Sequence, residues 1–156
     1  ATTLSKKQKI DMSNEFFSKA LSALNFSSLD SLASVNSISG LINVLESKAA
    51  FWRSYNTSNY FWQSRTAYQQ VMQVLSFQMK TLSLAAQSTL INQAASIYCG
   101  ALQTNHLLYL TSDSLFYKQE SFRFTEQSKS LLLYESFKES DALAFANSGV
   151  PRISNE

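Results

Sequence analysis

The 156-residue chain has 13 Lys or Arg against 11 Asp or Glu, three glycines, one proline and one cysteine, a size at which one domain can bury a core without disulfides or a structural metal. So few glycines and prolines exclude the repeated tight turns of β-rich and α/β folds, and a net charge of +2 excludes a strongly electrostatic nucleic-acid partner. Charged residues make up only 15% of the chain; Ser, Thr, Asn and Gln supply the polarity, which fits either a surface covered by a partner or codon bias in an AT-rich genome.

Apolar periodicity starts late. Phe16, Phe17, Ala20, Leu21 and Leu24 recur at helical spacing and predict a first helix from about Asp11 or Ser13 to Asn25, with Ser13 as its cap. Residues 1–10 then read as a polar tail containing the only basic cluster, Lys6, Lys7 and Lys9. These read first as solvated charge, with contact to a nucleic acid or an acidic lipid surface as the alternative. After a polar break, Leu29, Leu32, Val35 and Ile38 fall three apart, as in a helix or 3₁₀ stretch up to Gly40. Leu41, Ile42, Val44 and Leu45 carry the pattern on to Trp52, either through Gly40 or by a restart there.

The run Ser54-Tyr55-Asn56-Thr57-Ser58-Asn59 is the clearest interior loop, since short hydroxyl and amide side chains compete for backbone hydrogen bonds. Between about 60 and 105 there is no proline and one glycine, Gly100, which predicts one long central helix with a kink near that residue. Phe61, Arg65, Tyr68, Met72, Leu75, Met79, Leu82 and Ala86 alternate by four and three, the heptad seam of coiled-coil-like packing. Leu90, Ala94, Ile97 and Ala101 resume it after a stutter. Only Lys80 is formally charged between Thr66 and Ser112. A helix of that length spans almost ~70 Å and outruns the neighbours one chain can supply, so coverage by other subunits is expected.

Thr111-Ser112-Asp113 predicts the start of a long C-terminal helix, about 113–147, closed by Gly149 and Pro151 before a tail over 148–156. Its charges alternate in sign as on a solvated face, and its apolar side reads as Leu115, Phe122, Leu132 or Leu133, and Phe137. The expected fold is all-α, one elongated helical bundle over 1–156, with the last helix its most exposed element.

Chemistry-bearing motifs are scarce. Cys99 has no disulfide partner and reads as a small core residue; His106 reads as a residue near a helix C-terminus. Seven residues separate them, about 10.5 Å of rise, which rules out a Cys-His couple on one helix. There is no Glu-x-x-His pair, Cys-x-x-Cys or glycine-rich phosphate loop, so no catalytic residue, metal or cofactor is expected. No apolar run is long enough to cross a membrane, and no secretory leader opens the order, although a start at Ala1 fits removal of an initiator Met or a presequence. The most distinctive cluster is aromatic: Trp52, Arg53, Tyr55, Tyr60, Phe61, Trp62 and Tyr68. It reads as a packing knot between two helices, as a subunit anchor, or as a lipid or pigment contact.

The leading functional expectation is a non-enzymatic structural subunit of a repeating assembly, such as a filament or capsid, binding copies of itself or other subunits. Two alternatives stand beside it. One is an accessory helical subunit of a large membrane-associated or organellar complex. The other is a bundle that binds a small apolar ligand, with Met72 and Met79 as adaptable lining.

Overall fold

The computed structural model describes residues 5–81 and 84–148, and every regular element among them is helical. In chain order these are α1 (Lys6–Ala23), a 3₁₀ turn (Leu29–Ser34), α2 (Ile38–Ser54), α3 (Ser58–Thr81), α4 (Leu84–Ser112) and α5 (Leu115–Ser148). The all-α bundle expected from the sequence is what forms, and the long C-terminal helix is α5.

Three connections turn on left-handed backbone, and none uses glycine. Asn25, Asn56 and Asp113 take φ of 62°, 51° and 50° just beyond α1, α2 and α4, a conformation that Asn and Asp tolerate better than other non-glycine residues. At Asn25 the geometry is a Schellman ending: Phe26 N–H donates to Leu21 O (3.0 Å) and Asn25 N–H to Ser22 O (3.0 Å). At Asp113 the backbone N–H donates to Tyr109 O (2.8 Å). Thr111 and Ser112 therefore end α4 instead of starting α5, their hydroxyls donating back to the Leu107 and Leu108 carbonyls.

Two boundaries at the N-terminal side differ from expectation. α1 starts at Lys6, not near Ser13, because Ser5 and Gln8 form a capping box: Gln8 N–H donates to Ser5 Oγ (3.3 Å) and Ser5 N–H to Gln8 Oε1 (2.9 Å). Lys6, Lys7 and Lys9 thus lie on a helix rather than in a tail over 1–10. The first two turns carry only Ile10 and Met12 as apolar residues, two positions apart and out of helical phase with each other, so periodicity gave no sign of them. α2 starts just before Gly40, where Ser37 Oγ accepts from Gly40 N–H (3.1 Å). The tail expected over 148–156 falls, beyond Ser148, outside the described residues.

The larger correction concerns the central helix. What was expected as one helix over about 60–105 is two, α3 and α4, running antiparallel: Ser64 meets Thr104 and Tyr68 meets Gly100. α4 itself runs unbroken through Gly100. The seam survives in register, with Phe61, Arg65, Tyr68, Met72 and Leu75 buried on α3 and Leu90, Ala94, Ile97 and Ala101 buried on α4, while Leu82 lies outside the described residues. The two halves of the apolar pattern face each other, and α2 closes over them with Leu41, Ile42, Leu45 and Ala49. Coverage of the uncharged stretch by other subunits is therefore not required where the chain covers it itself.

Polar groups tie the layers together. Ser64 Oγ donates to Ala49 O on α2 (2.8 Å) and lies 3.1 Å from Thr104 Oγ1 on α4, all fully enclosed. α5 returns antiparallel along α4, burying Tyr117, Glu120 and Phe124. Met72 packs in the main core with Val71 and Leu75, and it also lines a cleft of about 280 Å³ together with Gln69, Glu120 and Phe124.

Candidate functional site

The seven aromatic and arginine residues singled out in the sequence separate into three settings. At the α2–α3 turn Trp52 stacks on Tyr60 (5.3 Å, 13°), Tyr55 leans on both, and Phe51 joins the group to Phe17 of α1 (5.7 Å). Lys6 sits 5.3 Å over the Tyr55 ring. Further along, Arg53 donates to Gly100 O (3.1 Å) and lies 5.8 Å over Tyr68, whose ring packs against the bare backbone of Gly100. Phe61 is enclosed by Leu108 and Tyr117. Trp52, Phe61 and Tyr68 are thus covered by their own chain, and burial of its hydroxyl pushes the Tyr68 pKa up. Trp62 is the one large side chain of the set left at the surface, 47% exposed.

The third setting is a buried ion pair. Arg65 Nε donates to Glu120 Oε2 (2.6 Å), its Nη2 donates to Glu120 Oε1, and Gln69 Nε2 donates to the same oxygen (2.8 Å). The guanidinium plane is boxed by Trp62 (5.0 Å) and Phe116 (5.2 Å), with Tyr117 at 6.0 Å. The bidentate fork with aromatic stacking is arrangement that Lys could not reproduce. Arg65 was legible as a seam residue, but Glu120 read as one charge of a solvated face. A lone Arg in a heptad seam calls for a carboxylate, and that was the usable signal.

Several clefts flank these groups. One, about 320 Å³, opens between α1, α2 and α3 beside Lys48, Trp52 and Trp62. Another, about 520 Å³, lies between α4 and α5 and is lined by Leu102, Asn105, Tyr109 and Tyr117. Asn105 is fully buried and neither its amide nitrogen nor its oxygen has a partner. Asn105→Leu is expected to raise stability by about 1–3 kcal/mol, since it removes the desolvation penalty of an unpaired amide. A fall in the thermal midpoint on that substitution would show the amide to be bonded in solution.

No known protein family, curated protein or solved structure matches this chain. Function must be argued from the side chains. Among the described residues no three His, Cys, Asp or Glu side chains cluster as metal ligands, and no helix is long and apolar enough to cross a membrane. Cys99 is exposed instead of buried: α4 turns Ile97, Tyr98 and Ala101 inward, and Cys99 shares the outward side with Gln103, whose Nε2 donates to Sγ (3.6 Å). His106, also exposed, sits six residues before the end of α4 and outside its last turn.

The surface feature that sequence reading misassigned is on α5. Leu115, Phe122, Leu133 and Phe137 were expected to face the bundle, yet they are 65%, 67%, 57% and 70% exposed. Their spacings of seven, eleven and four residues keep them on one line of the helix, a stripe about 33 Å long. Tyr117, Glu120 and Phe124 hold the opposite, inward side. Polar Glu120 wins an inward position because Arg65 and Gln69 satisfy it, which rotates the apolar stripe outward.

Proposed function

We propose that this chain is a non-enzymatic structural subunit of a repeating assembly held by helix–helix packing, with the outer face of α5 as the packing surface. The observation that carries this reading is the apolar stripe Leu115, Phe122, Leu133 and Phe137 on a helix whose opposite side is already packed at Tyr117, Glu120 and Phe124. An amphipathic surface helix needs one apolar face, and a second, opposite one marks a partner. The Glu126–Lys129 pair (2.9 Å) lies along the stripe, and an exposed pair of that kind contributes little to stability.

Beyond Arg65, α3 and α4 pack their uncharged seams against each other, which leaves the outer face of α5 for a partner. Copies of the same chain are the simplest partners for a repeating arrangement. Phe122→Glu/Phe137→Glu is expected to leave the circular dichroism and thermal midpoint of the chain nearly unchanged, because both side chains are exposed. Light scattering after size exclusion should then find the variant monomeric where the parent chain associates. A parent chain that stays monomeric at every concentration, alone, would sink this reading.

A further inference from the structure

The outward line of α5 carries a charge pattern as well as apolar residues. Between Phe122 and Leu133 it passes through Glu126 and Lys129, whose side chains are exposed and bridge to each other at 2.9 Å. The four residues are placed symmetrically: Glu126 follows Phe122 by four positions, and Leu133 follows Lys129 by four. Further out, Leu115 lies seven before Phe122 and Ser140 seven after Leu133, both exposed. Reversing the direction of the helix exchanges Phe122 with Leu133 and Glu126 with Lys129. The order apolar, acid, base, apolar is therefore complementary to itself in the antiparallel sense, which is the property an isologous contact about a two-fold axis requires.

We infer that α5 pairs antiparallel with α5 of a second copy, about a two-fold axis that crosses each helix between Gln127 and Ser128; this rests on the assembly reading above and names its partner and register. Phe122 of each copy packs on Leu133 of the other, once at either end of the contact. Glu126 of each copy exchanges the lysine of its own chain for Lys129 of the other. Charge decides among the neighbouring registers. Sliding the helices until Leu115 meets Phe137 sets Glu126 against its own copy, and sliding them until Phe122 meets Phe137 sets Glu126 against Leu133, a carboxylate desolvated without a cation. A parallel, in-register pair places acid on acid and lysine on lysine. Facing charges change stability by a few tenths of a kcal/mol in either direction, so they select the register while the apolar layers supply the affinity. A line about 33 Å long on one helix per copy makes a smaller contact than the roughly 1,600 Å² of a standard interface, and a micromolar dimer is expected. A two-fold contact closes on itself, so this pair is the unit that a repeating assembly multiplies through other faces.

Disulfide trapping reads the register, with Phe122→Cys and Leu133→Cys made separately in a Cys99→Ser chain that has no other thiol. In the antiparallel pair the two copies of position 122 stand eleven residues apart along the contact, about 16 Å of rise, far beyond the roughly 4 Å between the Cβ atoms of a disulfide. Each variant alone should resist oxidation to a covalent dimer, and an equimolar mixture should give the mixed disulfide. Charge reversal supplies the second arm. Glu126→Lys and Lys129→Glu should each raise the dimer dissociation constant about tenfold in sedimentation equilibrium with an unchanged circular dichroism spectrum, since two attractive pairs become repulsive. Glu126→Lys/Lys129→Glu should return it to within about twofold of the parent. A parent chain that sediments as a monomer would overturn this pairing and the assembly reading together. A parent chain that associates would leave the assembly reading standing and overturn the pairing alone if either cysteine variant crosslinks with itself, if the mixture fails to crosslink, or if the single reversals associate as tightly as the parent.

Discussion

Arg65→Met is expected to lower the free energy of unfolding by about 3–5 kcal/mol, among the largest effects available to a single substitution in this chain. The Glu120 side chain is only 8% exposed and the Arg65 side chain 10%. Removing the guanidinium leaves a carboxylate in the α3–α5 contact with Gln69 as its one remaining donor. An unpaired buried charge is far more costly than the pair it came from. The same reasoning makes a second, less intuitive outcome part of the prediction. Arg65→Met/Glu120→Leu, which replaces both charges by apolar groups of similar volume, should lie within about 1 kcal/mol of the parent or above it. Urea unfolding of the two single variants and the double variant gives the cycle directly. A single-variant loss under about 1 kcal/mol would mean that water reaches the pair in solution.

Gly100→Ala should also destabilise, although alanine is the better helix former by about 1 kcal/mol. A Cβ at this position would stand 2.1 Å from the Tyr68 hydroxyl and 2.5 Å from the ring carbon bearing it. Tyr68 is buried, so its ring cannot swing aside into solvent. Overpacking of this kind costs about 1–3 kcal/mol, enough to outweigh the propensity gain. Shortening the opposing residue frees the space: Gly100→Ala in a Tyr68→Leu background should be neutral or stabilising. The sign change between the two backgrounds is the diagnostic, because a propensity effect alone would have the same sign in both.

How much of this was legible beforehand follows from what sets each feature. The helical class was written in the scarcity of glycine and proline and in the spacing of Phe61, Tyr68, Met72 and Leu75, since periodicity reports which side of a helix is buried. Periodicity does not report where a helix ends when the connection carries no glycine or proline. The stutter at Ala86 and Leu90 does not mark the change of helix, since both residues lie within α4. The N-terminus of α1 was hidden for the opposite reason: Ser5 and Gln8 supply a cap, but Lys6, Lys7 and Lys9 give no apolar phase to follow.

The site was less legible than the fold. Trp52 and Trp62 belong to one aromatic cluster in the sequence, yet Trp52 is buried and Trp62 is 47% exposed beside the cleft that both line. On α5 the apolar line Leu115, Phe122, Leu133 and Phe137 was found correctly as a line and given the wrong direction. Local pattern cannot say which of two faces goes inward when a buried ion pair, Arg65 with Glu120, makes the polar face the one that packs.

The claim that α5 is the assembly surface is tested most directly by hydrogen exchange of the associated protein against its dissociated form. Residues 115–137 of α5 should gain protection on association, and residues 71–75 of α3 and 94–101 of α4, where Val71, Leu75, Ala94, Ile97 and Ala101 are already buried by their own chain, should not change. Equal protection of α5 in both forms, or a gain confined to α3 and α4, would contradict it.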